Sequence, residues 1–369
     1  MLSTRDYTLN EAFSDDYYPE KPQVTRKELN EVSHQLFTSQ RNVYLWARKG
    51  MGKTFLARQI QKAYPSNIYV PFSSSVADSL SSHLHMMNPY LAGRTPALIQ
   101  MFIQTLLEHH AKEHILFIFD DLQTLRRPKD FYLFLKVFLD RVKVQAQIKP
   151  RFLLISQAPY IRMDSLVSSN WPTKEAVESR LQLTSITLKP YTTEELFRIM
   201  EERITLATKP ELIQYEQGAL KWFATIVLRH GSDVRLGLRL LRGWMNSDRS
   251  LKSAERTWNR EKQQYWEDQL LTLHPHQAVL LAVISKQTGR LTIPSLYERY
   301  KEFCEQVGGH ALDYRQIHRL LDGLAEFGYT MQSETTQRGR PTAVWLHESI
   351  TKDNILDAVK EITWRDRLR

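Results

Sequence analysis

The sequence predicts an α/β domain built on a parallel sheet, then an all-helical domain, then a small domain of helices and two strands. Up to about Tyr191, short apolar strands alternate with amphipathic helical stretches, as in a parallel sheet covered on both faces. Beyond Tyr191 the strand signal disappears, and helical patterns continue to about Asn259. From Leu270 onward, three helical stretches precede two strands. The predicted domain boundaries are 1–190, 191–262 and 263–369.

Composition places the chain among globular proteins. Of its 369 residues 42% are hydrophobic and 25% charged, and the single cysteine, Cys304, can form no internal disulfide. No apolar run approaches the roughly 18 residues that span a bilayer, and the N-terminus is too polar for a signal peptide. We therefore expect a cytoplasmic protein that contacts no membrane. The net charge of +9 favours polyanionic partners, although charge alone leaves DNA binding open.

The elements of the first domain follow from the spacing of apolar residues. Residues 1–25 are polar and contain Pro19 and Pro22, which predicts an extended lead-in. A helix from Arg26 then carries its apolar side chains on one face: Leu29, Val32 and Leu36. The predicted strands are Val43–Trp46, Ile68–Val70, Ile115–Phe119 and Phe152–Ile155. The predicted helices are Thr54–Tyr64, Pro96–Glu108 and Phe131–Val144, with a polar segment at Ser73–Thr95.

A glycine-rich loop follows the first predicted strand and reads Ala-Arg-Lys-Gly-Met-Gly-Lys-Thr. This fits the P-loop pattern with Ala in place of the first Gly, and its strand-before, helix-after context argues against a chance match. Glycines let main-chain N–H groups turn toward phosphates, which the following helix N-terminus also favours. Lys53 would contact the β- and γ-phosphates, and the Thr54 hydroxyl would bind Mg²⁺. ATP or ADP is therefore expected to bind to Ala47, Arg48, Lys49, Gly50, Met51, Gly52, Lys53 and Thr54.

Two acids, Asp120 and Asp121, end the apolar strand that begins near Ile115. This is the Walker B arrangement, in which the first acid holds Mg²⁺ through coordinated waters and the second orients the attacking water. Asp121 is one methylene shorter than the Glu that most P-loop relatives use. The sequence therefore predicts slow ATP hydrolysis and a long-lived nucleotide switch. A solvated acidic pair at a strand end is the alternative.

The order of these motifs resembles the AAA+ division of P-loop ATPases, and within it the archaeal replication initiators related to the origin recognition complex and the cell-division-cycle helicase loader. The resemblance extends from about Tyr18 to His347. Gln157 ends the strand that matches sensor 1, where its amide would read the γ-phosphate. Arg180 lies in a Ser-Arg-Leu, strand and Pro-Tyr stretch, which makes it the candidate arginine finger for a neighbouring subunit's nucleotide. An ordinary surface arginine is the alternative for Arg180.

The helical domain resembles the lid of that family. Gly231–Leu241 is similar to the sensor-2 helix, from which Arg235 would reach the nucleotide phosphates and report ATP against ADP. The alternative is that Arg235 only pairs with a nearby acid such as Asp233. The predicted lid helices begin at the capping signature of Thr192 and continue as Ala219–Leu228, Val234–Trp244 and the linker helix Lys252–Gln264.

Residues 270–347 predict a winged helix. Its third helix would bury an apolar stripe and present a polar face typical of a helix that enters a major groove: Arg315, Gln316, His318 and Arg319. The wing tip would reach a minor groove or phosphates through Arg338, Gly339 and Arg340. The predicted helices are Pro275–Ser285, Thr292 to about Val307 and Tyr314–Phe327, the last capped by Asp313 and ended by Gly328. The predicted strands are Tyr329–Gln332 and Thr342–Leu346.

The resemblance implies an ATP-dependent initiator that recognises duplex DNA at a replication origin and helps recruit or load the replicative helicase. It further implies self-association on the DNA, residence with the nucleoid, and a second DNA contact in Ser73–Thr95, for which a solvated loop and helix is the alternative. Two other classes stay open. One is a signalling or mobile-element ATPase whose winged helix contacts protein, and the other is an ATP-responsive transcription regulator.

Overall fold

The structure of the chain is a computed structural model. It describes residues 9–364 apart from 15–16, 20–21, 65, 73–75, 88–100, 102–103, 105–113, 126–130, 132–133, 136–137, 140–148, 158–180, 208–214, 288, 327–328, 334–341, 348–349, 351 and 361–363. Four predicted site residues lie outside this part of the chain: Arg180, Arg338, Gly339 and Arg340. Most of the helices predicted at 96–108 and 131–144 lie outside it as well.

The described chain forms two compact units. One is Val24–Lys189, and the other combines Met1–Gln23 with Pro190–Arg369. Among the described helices of both units, none is long and apolar enough to cross a membrane.

The unit Val24–Lys189 is built on a parallel sheet of five strands in the order β2-β3-β4-β1-β5. The strands are β1 (Asn42–Trp46), β2 (Asn67–Pro71), β3 (His114–Asp120), β4 (Lys149–Ser156) and β5 (Leu183–Thr187). The described helices of this unit are α2 (Lys27–Ser33), which continues into a π-helical turn at His34–Thr38, α3 (Lys53–Ala63) and α4 (Val76–Met87). Each predicted strand of the first domain is therefore present, with bounds one to three residues longer.

Both faces of the central strands are buried. Alternate residues of β3 contribute to opposite cores, with Phe117 and Phe119 in one and Leu116 and Ile118 in the other. Side chains that alternate along a strand point to opposite faces, so a continuous apolar run is what a doubly covered parallel sheet requires. The core around Phe117 also receives Val76 and Leu80 of α4. The polar segment predicted at Ser73–Thr95 thus contains a helix that packs against the sheet.

The second unit is mostly helical. Its described helices are α1 (Leu9–Ala12), α5 (Thr193–Ala207), α6 (Gln217–Arg229), α7 (Val234–Met245), α8 (Leu251–Thr272), α9 (Pro275–Ser285), α10 (Ile293–Gln306), α11 (Tyr314–Glu326) and α12 (Lys352–Lys360). Its antiparallel sheet has the order β6-β8-β7, with β6 (Leu291–Thr292), β7 (Thr330–Gln332) and β8 (Ala343–Leu346). The winged helix predicted at 270–347 corresponds to α9 through β8. Helix α12 and strand β6 were not predicted.

The N-terminal residues differ from the predicted extended lead-in. Residues 9–12 form the short helix α1, and Phe13 is fully buried. Arg203 of α5 donates to the carbonyls of Ala12 and Tyr17 at 2.9 and 2.8 Å, and Arg242 of α7 donates to the Phe13 carbonyl at 3.0 Å. Composition did not reveal this anchoring because it depends on arginines about 190 residues or more further along the chain.

Candidate nucleotide site and nucleic-acid interface

The strand order brings three predicted motifs to one edge of the sheet. Strand β4 lies between β1 and β3, and all three are parallel, so their carboxyl ends are adjacent. The P-loop follows β1, Gln157 follows β4, and Asp120 and Asp121 lie at the end of β3. Ligands of open α/β sheets bind at this edge, outside the carboxyl ends of the strands.

The P-loop has the backbone conformation that its glycines allow. Gly50 and Gly52 have φ values of 76° and 80°, in the left-handed region that disfavours side chains with a Cβ. The Gly52 carbonyl accepts the Leu56 N–H at 2.9 Å in the first turn of α3. The Ala47 N–H donates to the Ser156 carbonyl at 3.3 Å, which ties the start of the loop to β4. The loop therefore leads directly into a helix N-terminus, where main-chain N–H groups and the helix dipole favour an anion.

Lys53 is turned back onto its own loop. Its side chain is 5% exposed, and its ammonium donates to the Ala47 and Arg48 carbonyls at 2.8 and 2.9 Å. Of the other predicted phosphate contacts, Arg48 is exposed and Lys49 is half-buried. Ionised phosphate oxygens accept stronger hydrogen bonds than neutral carbonyls, so a bound triphosphate would compete well for this ammonium.

Asp120 is the centre of a buried hydrogen-bond network. Its Oδ2 accepts from the Thr54 hydroxyl and from the Tyr69 hydroxyl, each at 2.7 Å, and its Oδ1 accepts the Asp121 N–H at 2.8 Å. Burial, and next the charge of Asp121, raises the pKa of Asp120, while the hydroxyl contacts act in the opposite direction. Burial and the neighbouring Asp120 also raise the pKa of Tyr69.

The donor set fits a magnesium ion. A serine or threonine hydroxyl and one carboxylate are the hard oxygen ligands that Mg²⁺ takes in nucleotide sites, where phosphates and waters complete its shell. Thr54 and Asp120 bring two such oxygens together at 2.7 Å. Tyr69 is an addition that the sequence patterns did not predict. Arg58 of α3 lies over its ring at 3.9 Å and so holds the tyrosine in place.

Asp121 is held by its own turn. Its φ is 58°, and its carbonyl accepts the Thr124 N–H at 2.9 Å, so it caps the 3₁₀ turn Leu122–Thr124. The Gln123 side chain bridges this residue and β4: its Nε2 donates to Asp121 Oδ1 at 2.8 Å, and its Oε1 accepts the Gln157 N–H at 2.9 Å. Asp121 and Gln157, the two residues predicted to act at the γ-phosphate, are thus joined by the Gln123 side chain. The sequence patterns did not predict this link.

Arg26 links the P-loop to the end of this unit. It is 5% exposed, and its guanidinium donates to the Met51 carbonyl and to the Lys189 carbonyl, each at 2.6 Å. Glu28 completes the arrangement by accepting the Lys189 N–H at 2.8 Å. Both main-chain groups of Lys189 are therefore fixed by α2 and the residue before it. No local pattern predicts this anchor, because the three partners come from separate segments.

Arg235 lies in the other unit, at the start of α7. Its Nε is 3.4 Å from Asp233 Oδ1, and its main-chain N–H donates to the same oxygen at 3.0 Å. The pairing with Asp233 that the sequence left open is therefore present. The buried Ser232 hydroxyl donates to the Tyr191 carbonyl at 3.2 Å, which joins the start of α7 to the Pro-Tyr entry of the helical region.

Helix α11 presents the face predicted for DNA. Ile317, Leu321 and Leu324 are fully buried. The outward residues are Arg315, Gln316 and Arg319, which are exposed, and His318, which is half-buried. Asp313 caps the helix as predicted: its Oδ1 accepts the Gln316 N–H at 2.8 Å. The side-chain oxygen of Gln316 accepts the Asp313 N–H at 3.2 Å, so the NH₂ end of this amide is the one that can approach a base.

Two tyrosines of α10 hold the turn that precedes α11. The Leu312 N–H donates to the Tyr300 hydroxyl at 2.9 Å, and the Leu312 carbonyl accepts from the Tyr297 hydroxyl at 3.2 Å. The Tyr300 hydroxyl is also 2.7 Å from Nδ1 of His276 in α9. Burial, and next the neighbouring His274, lowers the pKa of His276 to about 4, so its ring is neutral at neutral pH.

Comparison with known protein families gives two matches along the chain. A model of the AAA domain matches residues 35–162, and a model of the CDC6 C-terminal winged helix domain matches residues 269–358. The first span contains the P-loop and the two acids, and the second contains α9 to β8 and most of α12. The fold and these matches define the chain as an AAA-domain protein with a Cdc6-type C-terminal winged helix.

Individual relatives make the assignment more specific. ORC1-type DNA replication protein 2 of Haloarcula marismortui is 26% identical over 199 residues, 50% of this chain and 48% of that protein. ORC1-type DNA replication protein 1 of Archaeoglobus fulgidus is 23% identical over 357 residues, 88% of this chain and 83% of that protein. Over most of its length, the chain is thus similar to archaeal ORC1-type DNA replication proteins.

Solved structures share the same fold over nearly the whole chain. The Aeropyrum pernix ORC2 protein in its ADPNP-ADP complexes has a TM-score of 0.63 at 18% identity, over 97% of this chain and 98% of that one. The Aeropyrum pernix ORC1 protein in complex with DNA has a TM-score of 0.58 at 18% identity, over 97% of each chain.

Proposed function

We propose that this protein is an ATP-binding initiator of DNA replication that recognises duplex DNA at an origin. The observation that carries the proposal is the occurrence, in one chain, of a P-loop site and a Cdc6-type winged helix whose helix α11 turns Arg315 and Arg319 to solvent. The relatives named as DNA replication proteins, and the similar ORC1 protein in complex with DNA, support the same function.

Nucleotide would bind at the carboxyl edge of the parallel sheet. Lys53 would leave the Ala47 and Arg48 carbonyls for the phosphates, and Thr54 with Asp120 would hold Mg²⁺, which neutralises phosphate charge when bound. Asp121 would orient the attacking water. Its short side chain would make hydrolysis slow, which suits a switch better than a motor.

Three further residues would read the nucleotide by resemblance to the family. Gln157 would contact the γ-phosphate, Arg235 would exchange its Asp233 partner for a phosphate, and Arg180 would act on nucleotide of a neighbouring copy on the DNA. Recruitment of the replicative helicase and residence with the nucleoid in the cytoplasm are the remaining parts of the proposal.

Helix α11 would bind duplex DNA in the major groove. Arg315 and Arg319 lie one turn apart on the same helix face, so they would reach neighbouring base edges or phosphates. The fixed turn at Leu312 supports this function, because a recognition helix must enter the groove at a set angle. Arg338 and Arg340 would add contacts from the wing.

The test is duplex binding by fluorescence anisotropy with two probes, an origin-proximal repeat and a random duplex of equal length, each measured with ATP and with ADP. The variant is Arg315→Ala plus Arg319→Ala. The matched control is Arg198→Ala plus Arg256→Ala, which removes the same charge from exposed arginines that pair with Glu194 and Asp248.

We expect the α11 variant to bind the repeat about 10-fold or more weakly than the parent protein does. The slope of its binding constant against salt should fall by about 0.9 for each phosphate that the variant no longer neutralises. The control should bind as the parent does. Equal, weak binding of repeat and random duplex by the parent protein would contradict origin recognition and favour a protein-binding winged helix. Identical binding with ATP and ADP would contradict nucleotide control.

A further inference from the structure

One side chain joins the ends of β3 and β4 beside the proposed nucleotide site. Gln123 lies in the 3₁₀ turn Leu122–Thr124, between Asp121 on one side and the Gln157 main chain on the other. Its two hydrogen bonds, at 2.8 and 2.9 Å, use both ends of the same amide.

The orientation of this amide is fixed by its partners. A main-chain N–H can only donate, so the Gln157 N–H requires the carbonyl end of Gln123. A carboxylate can only accept, so Asp121 requires the NH₂ end. A flipped amide would place donor against donor and acceptor against acceptor. Gln123 therefore has a single satisfied orientation, and the Asp121 carboxylate is held relative to the end of β4.

The Asp121 carboxylate needs such a restraint on its direction. Its main chain is already fixed, because its N–H donates to Asp120 Oδ1 at 2.8 Å and its carbonyl caps the turn. The side chain is half-buried and short, so its carboxylate depends on a partner for its direction. The Gln123 amide donates to only one of the two oxygens, Oδ1, and leaves Oδ2 outside this bond.

We propose that Gln123 is a positioning residue that joins Asp121 and Gln157 into one rigid unit at the γ-phosphate end of the site. The proposal rests on the proposed function, because it takes Asp121 as the acid that orients water and Gln157 as the phosphate reader. Gln123 touches neither the P-loop contacts of Lys53 nor the Thr54 and Asp120 pair. Its loss should therefore slow hydrolysis and leave nucleotide affinity unchanged.

The experiment compares Gln123→Ala with the parent protein in single-turnover hydrolysis of radiolabelled ATP and in equilibrium ATP binding, both with Mg²⁺. We expect the hydrolysis rate to fall roughly 10- to 100-fold, the loss typical of a misplaced reacting group. The ATP dissociation constant should stay within about twofold of the parent value. The matched control is Gln40→Ala, which removes an exposed glutamine that accepts from Arg151 near the opposite end of β4.

A coupling measurement separates positioning from a general loss of structure. If Gln123 acts through Asp121, then Gln123→Ala should change the rate less than about twofold in an Asp121→Asn background, because neighbours that act as a unit are not additive. Gln123→Glu should be slower than Gln123→Ala at neutral pH, because it loses the donor and adds a third carboxylate beside Asp120 and Asp121.

Several results would overturn the proposal. One is a Gln123→Ala variant that hydrolyses ATP at the parent rate. A second is that Gln123→Ala lowers the hydrolysis rate as much in the Asp121→Asn background as in the parent protein. A third is a parent protein that binds ATP without measurable turnover. In each case the proposed nucleotide site would still stand if Lys53→Ala abolishes ATP binding. Retained ATP binding by Lys53→Ala would instead contradict the proposed function.

Discussion

Removal of one hydroxyl, Tyr69→Phe, is expected to destabilise the unit Val24–Lys189 measurably. The Tyr69 hydroxyl donates to Asp120 Oδ2 at 2.7 Å, and Asp120 is 1% exposed. Hydrogen bonds to ionised groups contribute about 1.5–3 kcal/mol, because water cannot replace the lost donor in a buried site. A domain of roughly 150–250 residues loses about 2–4 °C of melting temperature for each kcal/mol, so the melting temperature should fall by about 3–12 °C.

The effect should depend on pH in a defined direction. Burial and the charge of Asp121 raise the pKa of Asp120, and this shift costs stability as pH rises from the ordinary carboxyl value, 3.8, to the folded-state pKa. The Tyr69 hydroxyl offsets this cost only while Asp120 is ionised. The destabilisation caused by Tyr69→Phe should therefore be largest at neutral and alkaline pH and should shrink on acidification.

The assay is thermal unfolding at several pH values, and the relevant transition is the one that Mg²⁺ and ATP shift upward. The control is Tyr64→Phe, which removes the same atom from a tyrosine of this unit whose ring stacks on Phe37 at 4.9 Å. A shift below about 1 °C for Tyr69→Phe at neutral pH, or an equal shift at every pH, would contradict the role assigned to the Tyr69 hydroxyl.

The same sites yield three further predictions. Lys53→Ala should abolish ATP binding in titration calorimetry and leave the winged helix folded, and retained nanomolar affinity would contradict the P-loop assignment. Asp120→Asn should raise the melting temperature without nucleotide, because it removes a buried charge, and a lower value would contradict the raised pKa of Asp120. The lowered pKa of His276, about 4 against 6.5, predicts stability that is present above pH 6.5 and lost as pH falls toward 4. Melting curves of the parent and of His276→Gln over that range would check this, and an unchanged difference between them would count against it.

The P-loop, Asp120 and the exposed face of α11 could be predicted because each is a local pattern. A glycine-lysine-threonine loop between a strand and a helix carries its own context, and the helical period places Arg315 and Arg319 opposite Ile317 and Leu321. The structure places these two arginines on the exposed face and the two apolar residues in the core, as the period predicted.

Tyr69 could not be predicted, because its role depends on the pairing of β2 with β3. In that register Pro71 is the partner of Asp120, and Tyr69 lies two residues earlier on the same face. Only the parallel alignment of two strands that are about 50 residues apart brings its hydroxyl to Asp120. The two-residue strand β6 was not predicted, for a similar reason. Leu291 and Thr292 form a strand only because they pair with Val344 and Ala343.

The acidic end of β3 predicts that nucleotide binding at the proposed site depends on a cation. Asp120 and Asp121 are adjacent, and the raised pKa of Asp120 means that its negative charge is poorly compensated where it lies. ATP alone would add negative charge beside this pair. A Mg²⁺ ion held by Thr54 and Asp120 would compensate the negative charge of both the carboxylate and the phosphates. ATP with a chelator should therefore raise the melting temperature much less than ATP with Mg²⁺. In Asp120→Asn the two conditions should converge, because the carboxylate that needs the cation is gone. An equally large Mg²⁺ effect in that variant would show that Asp120 is not the residue that holds the metal.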